Sequence, residues 1–154
     1  YIVYYTMILF IGNIDAKVDA KGRVFVPAQF RRQMEGETEL VLRKNLFSNS
    51  LVLYPKESWN DMMSTLRGKL NRFNREHDAI FRQFVAESER LEMDEQGRIL
   101  IPKKYLQNAE IESSVRFVGN DSTIEIWASG KVEQTFVDDD SFAGKLEDIF
   151  NQGL

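Results

Sequence analysis

Residues 19–27 read Asp-Ala-Lys-Gly-Arg-Val-Phe-Val-Pro, and residues 94–102 read Asp-Glu-Gln-Gly-Arg-Ile-Leu-Ile-Pro. Aspartate, glycine, arginine, three apolar residues and proline recur in the same order, 75 positions apart. Because an internal repeat defines the structural unit of a chain, this one indicates a duplicated architecture whose unit is about half of the 154 residues. Each copy presents one Gly-Arg turn, and a duplicated arginine suits a target that is itself repeated.

The repeat extends past these nine residues. Each copy continues with a short aromatic segment and two apolar runs, residues 39–43 and 50–54 in the first copy, residues 115–118 and 122–127 in the second. The second copy is two residues shorter in the loop before its last run, so Tyr54 corresponds to Trp127. Because loops tolerate deletions, this gap is consistent with a duplication. We therefore predict an α+β fold in which two copies of one strand-and-helix unit follow each other.

The start of each copy predicts a β-hairpin, which runs from Val18 to Pro27 in the first. Aspartate can accept hydrogen bonds from backbone N–H groups of its own turn, and glycine supplies the positive φ that a tight turn needs. Proline cannot donate to a sheet, so it ends the strand and can begin a short helix, predicted over residues 28–34. Six residues are therefore predicted to shape the turns: Asp19, Gly22, Pro27, Asp94, Gly97 and Pro102.

Longer helices are predicted between the copies and after the second one. The first follows Pro55, with apolar residues at helical spacing: Trp59, Met62, Met63, Leu66, Leu70 and Phe73. The second covers about residues 75–88 and has one apolar face: Ile80, Phe81, Phe84 and Val85. Both faces are interpreted as core rather than as a cofactor pocket. The last helix covers about residues 141–151, with an apolar side made of Phe142, Leu146, Ile149 and Phe150.

These segments divide the chain into four parts. We predict a first repeat over residues 7–60, a helical connection over residues 61–88, a second repeat over residues 89–136, and an acidic tail or helix over residues 137–154. No low-complexity linker separates the repeats, so packed helix rather than a flexible tether is expected to join them.

Composition narrows the functional classes. Cysteine is absent, which excludes disulfides, thiolate catalysis and zinc–cysteine sites. The formal net charge of −4 is uneven, because residues 138–154 hold five acidic side chains and one lysine, whereas residues 16–34 hold five basic side chains and one aspartate. Such a basic patch can bind phosphate, although a solvated surface explains it equally well from charge alone. The apolar residues 1–10 are too few to span a bilayer, and a cytoplasmic protein is expected.

Catalysis needs placed acids, bases, nucleophiles or metals, and the sequence offers none of them in a recognisable arrangement. His77 is the single histidine and lies between two acidic residues in a predicted helix, where a surface position is expected. No His/Asp/Glu cluster has metal-ligand spacing, and no glycine-rich loop leads into a helix to hold a phosphate. We therefore predict a non-enzymatic protein with no metal, no cofactor and no small-molecule substrate.

Arg23 and Arg98 remain as the candidates for function. An arginine directly after a turn projects from a stiff element, and its planar guanidinium can bond guanine O6 and N7 together or clamp a phosphate. A two-stranded β-ribbon fits the major groove of DNA. In the alternative interpretation, each arginine pairs with Asp19 or Asp94 and only braces its turn. The duplication favours contact with DNA.

The duplicated Asp-x-x-Gly-Arg-x-x-x-Pro motif resembles that of the MraZ family, bacterial transcriptional regulators encoded at the head of the division and cell-wall gene cluster. The likeness covers nearly the whole chain from Met7 to about Phe136. It includes further matching positions: Gly12-Asn13, Leu53-Tyr54-Pro55, Trp59 and Glu125-Ile126-Trp127. One copy of the motif also occurs in hairpin antitoxins, whereas two copies at this spacing are specific.

The resemblance implies a duplicated swapped-hairpin fold like that of AbrB and the MazE antitoxins, in which each barrel-like half is completed by the other half of the chain. It also implies a homo-oligomeric ring that sets its arginines against short G-rich direct repeats upstream of its own operon. Arg23 and Arg98 match the family's DNA-contacting arginines. Lys21 matches a basic turn position, which is Gln96 in the second copy. Further candidate phosphate contacts are Arg31, Arg32, Lys103 and Lys104.

We therefore expect a cytoplasmic, nucleoid-associated regulator that binds double-stranded DNA sequence-specifically, assembles with copies of itself and has no membrane partner. The alternative is an antitoxin-like protein-interaction module, whose helices or acidic tail dock a partner protein. A preference among DNA sequences distinguishes the two hypotheses.

Overall fold

The computed structural model describes residues 9–152. Residues 7 and 8 of the predicted first repeat and residues 153 and 154 of the predicted tail lie outside this range. The described residues form eight strands, five α-helices and one short 3-10 helix. The α+β fold class is confirmed.

The elements of the first copy recur in the second. The first copy consists of β1 (Asn13–Lys17), β2 (Arg23–Phe25), α1 (Ala28–Gln33), β3 (Glu39–Lys44) and β4 (Leu51–Pro55). The helices α2 (Lys56–Lys69) and α3 (Arg75–Ala86) connect the two copies. The second copy consists of β5 (Ser88–Glu92), β6 (Arg98–Leu100), α4 (Lys103–Asn108), β7 (Ser114–Asn120) and β8 (Thr123–Ala128). The 3-10 helix (Val132–Thr135) and α5 (Asp139–Asn151) follow.

The two copies build their sheets together. Six strands form one antiparallel sheet in the order β1-β7-β8-β4-β3-β5, and β2 pairs with β6 in a separate two-stranded ribbon. Four pairings, β1–β7, β4–β8, β3–β5 and β2–β6, join a strand of one copy to a strand of the other. Each half is therefore completed by the other, as the resemblance implied. Within residues 9–152 the large sheet stays open, with β1 and β5 at its edges, and does not close into a barrel.

The hairpin predicted from Val18 to Pro27 is wrong in its pairing. Its turn does form, because the Asp19 N–H donates to the Arg23 carbonyl (2.9 Å) and the Gly22 N–H donates to the Asp19 carbonyl (3.0 Å). The strands on either side then separate, since β1 pairs with β7 and β2 pairs with β6. Exchange between the copies gives the short β2 a partner strand whose apolar residues face the same core as its own.

The core lies between the inner face of the large sheet and the inner face of the ribbon. The ribbon contributes four side chains that are at most 1% exposed: Val24, Val26, Ile99 and Ile101. Each short helix adds one buried aromatic residue, Phe30 from α1 and Tyr105 from α4. Because side chains alternate along a strand, burial of these residues turns their neighbours outward.

The interpretation of α2 and α3 as core helices is largely wrong. They contact the outer face of the sheet near β3, β4 and β5, and α3 buries no residue at all. In α2 only Ser58 and Met63 are buried, and the helix ends at Lys69, so the fully exposed Phe73 lies beyond it. The main contact is aromatic, because the Trp59 ring stacks on the Phe84 ring with centroids 5.8 Å apart.

The C-terminal helix α5 forms close to its predicted position. None of its residues is buried. Its predicted apolar side is largely exposed, with exposed fractions between 41% and 79% for Phe142, Leu146, Ile149 and Phe150. The helix therefore offers an apolar stripe that its own chain leaves uncovered within the described residues.

Candidate nucleic-acid interface

The ribbon brings the two repeated arginines onto one surface. In its register Arg23 faces Leu100, Val24 faces Ile99, and Phe25 faces Arg98. Because the central pair points into the core, the outer face consists of the two arginines, Phe25 and Leu100. The two copies are thus related by an approximate two-fold axis through the central pair.

Asp19 fixes the first arginine from within its own turn. Its Oδ1 accepts hydrogen bonds from the backbone N–H groups of Lys21 and Arg23, each at 2.9 Å. Its Oδ2 accepts from Arg23 Nε at 2.8 Å. One carboxylate therefore closes the turn and orients the guanidinium at the same time.

The second turn repeats this arrangement. Asp94 Oδ1 accepts from the backbone N–H groups of Gln96 (2.9 Å) and Arg98 (2.8 Å), and Oδ2 accepts from Arg98 Nε at 2.8 Å. Among residues 9–152, the terminal nitrogens of both guanidinium groups have no hydrogen-bond partner. Each arginine is thus held at Nε by its own aspartate, and this brace leaves its terminal nitrogens unpaired within the described residues.

The carboxylates of both turns are stabilised in their ionised form. The largest cause that lowers the pKa of Asp19 is the hydrogen bond from the Arg23 backbone, and the Arg98 backbone has the same effect on the pKa of Asp94. Their side chains and those of the arginines are 25–40% exposed. Surface ion pairs contribute little to stability, so the main effect of these pairs is orientation.

The glycines of the two turns are required by close packing as well as by backbone geometry. Gly22 has φ +91°, and a Cβ there would lie 2.7 Å from the carbonyl oxygen of Ile101. Gly97 has φ +86°, and a Cβ there would lie 2.6 Å from Arg31 Nη1. Each turn therefore packs against a group of the opposite copy, and the prolines Pro27 and Pro102 lead directly into the helices that follow.

The other predicted contacts lie in the first turn and in the helices α1 and α4 that follow the ribbon strands. Four of them are exposed: Lys21, Arg32, Lys103 and Lys104. Lys21 and Lys103 line one recess along the first turn. Arg31 differs from them because it is half-buried and its Nε donates to the Val26 carbonyl at 2.9 Å.

Phe25 and Leu100 are surface residues that sequence reasoning missed. Both were counted among apolar runs, but their side chains are 54% and 55% exposed and flank the arginines on the outer face. Strict alternation along β2 and β6 is the signal that separates them from their buried neighbours. Exposed apolar side chains at such positions can contact the methyl group of thymine.

The described residues include no helix long and apolar enough to cross a membrane, and no group of three or more His, Asp or Glu residues placed to hold a metal ion.

A family model described as "MraZ protein, putative antitoxin-like" matches residues 9–83 and again residues 84–150. The chain belongs to the MraZ family. The double match agrees with the duplication seen in the sequence and in the paired strands. The family resemblance expected from the repeated motif is confirmed.

Relatives in the family span almost the full chain. A protein of Bacteroides fragilis named "Transcriptional regulator MraZ" is 53% identical over 148 residues, which are 95% of this chain and 94% of the relative. Proteins of the same name from Bacteroides thetaiotaomicron and Phocaeicola vulgatus are 48% and 49% identical, over 94% and 91% of this chain and 94% and 92% of their own lengths. These names are those of regulators rather than enzymes, in agreement with the prediction of a non-enzymatic protein.

Proposed function

We propose that this chain is a sequence-specific DNA-binding transcriptional regulator that reads DNA through the outer face of the β2–β6 ribbon. The observation that carries the proposal is the placement of Arg23 and Arg98 on one stiff ribbon, each oriented by its own aspartate and each with its terminal nitrogens directed away from that bond. The names of the relatives support the same class of function.

The chemistry of base recognition fits this geometry. A guanidinium group held at Nε keeps two terminal nitrogens with which it can bond guanine O6 and N7, the commonest specific contact in the major groove. A two-stranded ribbon is narrow enough to enter that groove. The exposed Phe25 and Leu100 beside the arginines add apolar contacts to thymine methyl groups.

Membership of the family supports one choice of target. Short G-rich direct repeats upstream of the chain's own operon, in the division and cell-wall gene cluster, would present guanines at a regular spacing. Phosphate contacts fix the register of a protein on DNA without reading sequence. We assign this role to the exposed basic residues of the first turn, α1 and α4: Lys21, Arg32, Lys103 and Lys104. Such a regulator acts in the cytoplasm, in association with the nucleoid.

Direct repeats are best matched by several copies of the protein, which we propose form a homo-oligomeric ring. Each copy would bind one repeat weakly, and linkage between copies would raise the overall affinity. The exposed apolar stripe of α5 supports self-association because a second molecule would cover it. Light scattering should give a mass well above the 17.9 kDa of one chain. A charged substitution in the stripe, Leu146→Asp, should lower that mass, whereas Glu147→Gln in the same helix should leave it unchanged.

The central experiment measures fluorescence anisotropy of a labelled duplex from upstream of the protein's own operon, against a scrambled duplex, at physiological salt. We expect a preference of two or more decades for the upstream duplex. Arg23→Ala and Arg98→Ala should each reduce discrimination at guanine positions by about 1–3 kcal/mol. Arg67→Ala, which removes an exposed cation of α2 away from the ribbon, is the matched control. If both ribbon variants lost equal affinity for the upstream and the scrambled duplex, base reading would be contradicted.

An antitoxin-like protein-interaction module is the second candidate. The exposed apolar residues of α3, Ile80 (49%) and Val85 (40%), and the stripe of α5 favour it. This function would be supported if the chain bound both duplexes equally and formed a complex of fixed stoichiometry with one partner protein. In that case the arginines would only brace their turns.

A further inference from the structure

Arg31 of the first copy lies against the turn of the second copy. If Gly97 had a Cβ, that atom would be 2.6 Å from Arg31 Nη1 and 2.8 Å from Arg31 Cζ, so the guanidinium occupies the space beside the glycine. Arg31 Nε donates to the Val26 carbonyl at 2.9 Å, and the Val26 N–H donates to the Gly97 carbonyl at 2.9 Å. The backbone at the end of the ribbon thus fixes the guanidinium next to the second turn.

The corresponding place beside the first turn holds no charge. Leu106 stands four residues after Pro102, as Arg31 stands four residues after Pro27. Leu106 Cδ1 lies 3.6 Å from the Cβ position of Gly22, so it packs on the first turn in the way that Arg31 packs on the second. The exchange between copies therefore gives the two turns neighbours of different charge.

The residues within the turns also differ in charge, but here the first turn has the cation. The position before the glycine is Lys21 in the first turn and Gln96 in the second. Lys103 and Glu112 also line the recess at the first turn, and Glu95 stands in the second turn where the first has Ala20. Besides the arginine that follows its glycine, each turn has one cation next to that glycine: Lys21 from its own copy in the first turn and Arg31 from the opposite copy in the second.

We propose that Arg31 is the phosphate-binding residue of the second turn and has there the role that Lys21 has in the first. This inference rests on the proposed DNA-binding function. The ligand is a phosphate of the DNA backbone, for which a guanidinium group whose two terminal nitrogens have no hydrogen-bond partner within residues 9–152 is well suited. The two turns then make equivalent phosphate contacts, through Lys21 and Arg31, in addition to those of Arg32, Lys103 and Lys104.

The test removes or adds the charge at these positions by substitution and measures how the DNA affinity then depends on salt concentration. Anisotropy is measured between 50 and 200 mM salt on the upstream duplex and on an unrelated duplex of the same length. Arg31→Leu places at the second turn the residue type that Leu106 provides at the first. It should reduce the slope of log K against log salt by about 0.9. The change in affinity between 50 and 200 mM salt should then be about 3-fold smaller. The reduction should be the same on both duplexes because a phosphate contact carries no sequence information.

A second substitution tests whether the lost charge can be supplied from within the turn. Gln96→Lys in the Arg31→Leu background gives the second turn the residue that the first turn has, and it should restore the slope. The reciprocal variant Leu106→Arg should increase the slope of the wild-type chain by a similar amount. An unchanged slope in Arg31→Leu, or no recovery with Gln96→Lys, would overturn the proposal.

The free energy of unfolding is measured on the same samples, so that the loss of the Arg31 charge can be distinguished from a loss of packing. Arg31→Gln removes the charge and retains an amide that can donate to the Val26 carbonyl, so it replaces Arg31→Leu if that variant does not fold, and the same slope change is expected. The slope on the unrelated duplex does not depend on sequence preference. If the wild-type chain showed no preference for the upstream duplex, the proposed function would be refuted. If the Arg31 variants had the same salt slope as the wild-type chain, only the role of Arg31 would be refuted.

Discussion

Val24 lies directly opposite Ile99 at the centre of the ribbon, and each side chain is 1% exposed. The residues on either side of this pair, which include the two arginines, point away from the core. Because Arg23 belongs to one copy and Arg98 to the other, the distance between them is set by the pairing of the copies. Packing of the central pair against the large sheet therefore determines the spacing of the candidate recognition groups.

The burial of this pair leads to a stability prediction. Ile99→Ala should lower the free energy of unfolding by about 2–5 kcal/mol, because it removes buried apolar contacts and leaves a cavity. Leu100→Ala, one residue further on the same strand but 55% exposed, should change it by about 0.5 kcal/mol or less. Urea unfolding of both variants gives the comparison. Similar losses in the two variants would mean that the ribbon does not pack on the sheet.

The two turn glycines should differ in their tolerance of a side chain. Gly22→Ala and Gly97→Ala both place alanine at positive φ, which costs about 1–3 kcal/mol. At Gly22 the new Cβ also meets the backbone oxygen of Ile101, whereas at Gly97 it meets the flexible end of Arg31. Urea unfolding should therefore show the larger loss for Gly22→Ala. Adding Arg31→Ala should recover part of the loss in Gly97→Ala, and strict additivity of those two changes would contradict the contact.

The turn aspartates should be required for orientation more than for folding. Asp19→Asn keeps one oxygen to accept the backbone N–H groups of Lys21 and Arg23, but its amide cannot accept from Arg23 Nε. We expect a small stability loss, because surface ion pairs contribute little, and a clear loss of discrimination at guanine in the anisotropy assay. Asp94→Asn is the matched variant in the second turn. Full discrimination in both variants would show that the carboxylates do not position the arginines.

The same carboxylates should contribute to stability in a defined pH window. The pKa of Asp19 and of Asp94 is lower in the folded chain than its ordinary value of about 4, so the folded state releases these protons more readily. Their stabilisation is therefore complete above about pH 4 and is lost as the pH falls through the lower folded values. Urea unfolding between pH 5 and pH 2 should show this decline.

The double variant Asp19→Asn/Asp94→Asn is the control for that decline. It should lose less stability over the same interval than the wild-type chain. Asp15 and Asp78 also have lowered pKa values, caused mainly by hydrogen bonds from Arg116 and Arg72, and they remain in both proteins. The difference between the two curves therefore isolates the turns, and parallel curves would contradict the assignment.

The sequence predicted the local features of this fold well. The Asp-to-Gly turns, the short helix after Pro27 and the strands that follow all depend on residues close to one another in the chain, and they occur where expected. The identity of the strand that β2 pairs with is a long-range choice. Local pattern alone suggested pairing with β1, and only the family resemblance indicated exchange between the copies.

The exposed positions were harder to predict from the sequence. The apolar spacing of α3 is that of a buried helix, yet Ile80 and Val85 remain exposed because the sheet meets only part of the helical connection. The residues that pack beside the turns were equally hard to predict from the sequence. The contact between Arg31 and Gly97 joins residues that approach each other only after the copies have exchanged strands, so no spacing in the sequence predicts it.

The exchange of strands also has a consequence during synthesis. Val24 pairs with a residue 75 positions later in the chain, and ribosomes add about 5–20 residues per second. The nascent β2 must therefore wait about 4–15 s for the synthesis of β6. Until the second copy is made, the edges of β1, β3 and β4 also lack their cross-copy partners. A ribosome stalled between the copies would display open strand edges and uncovered valines, a substrate for chaperones rather than a folded half-protein.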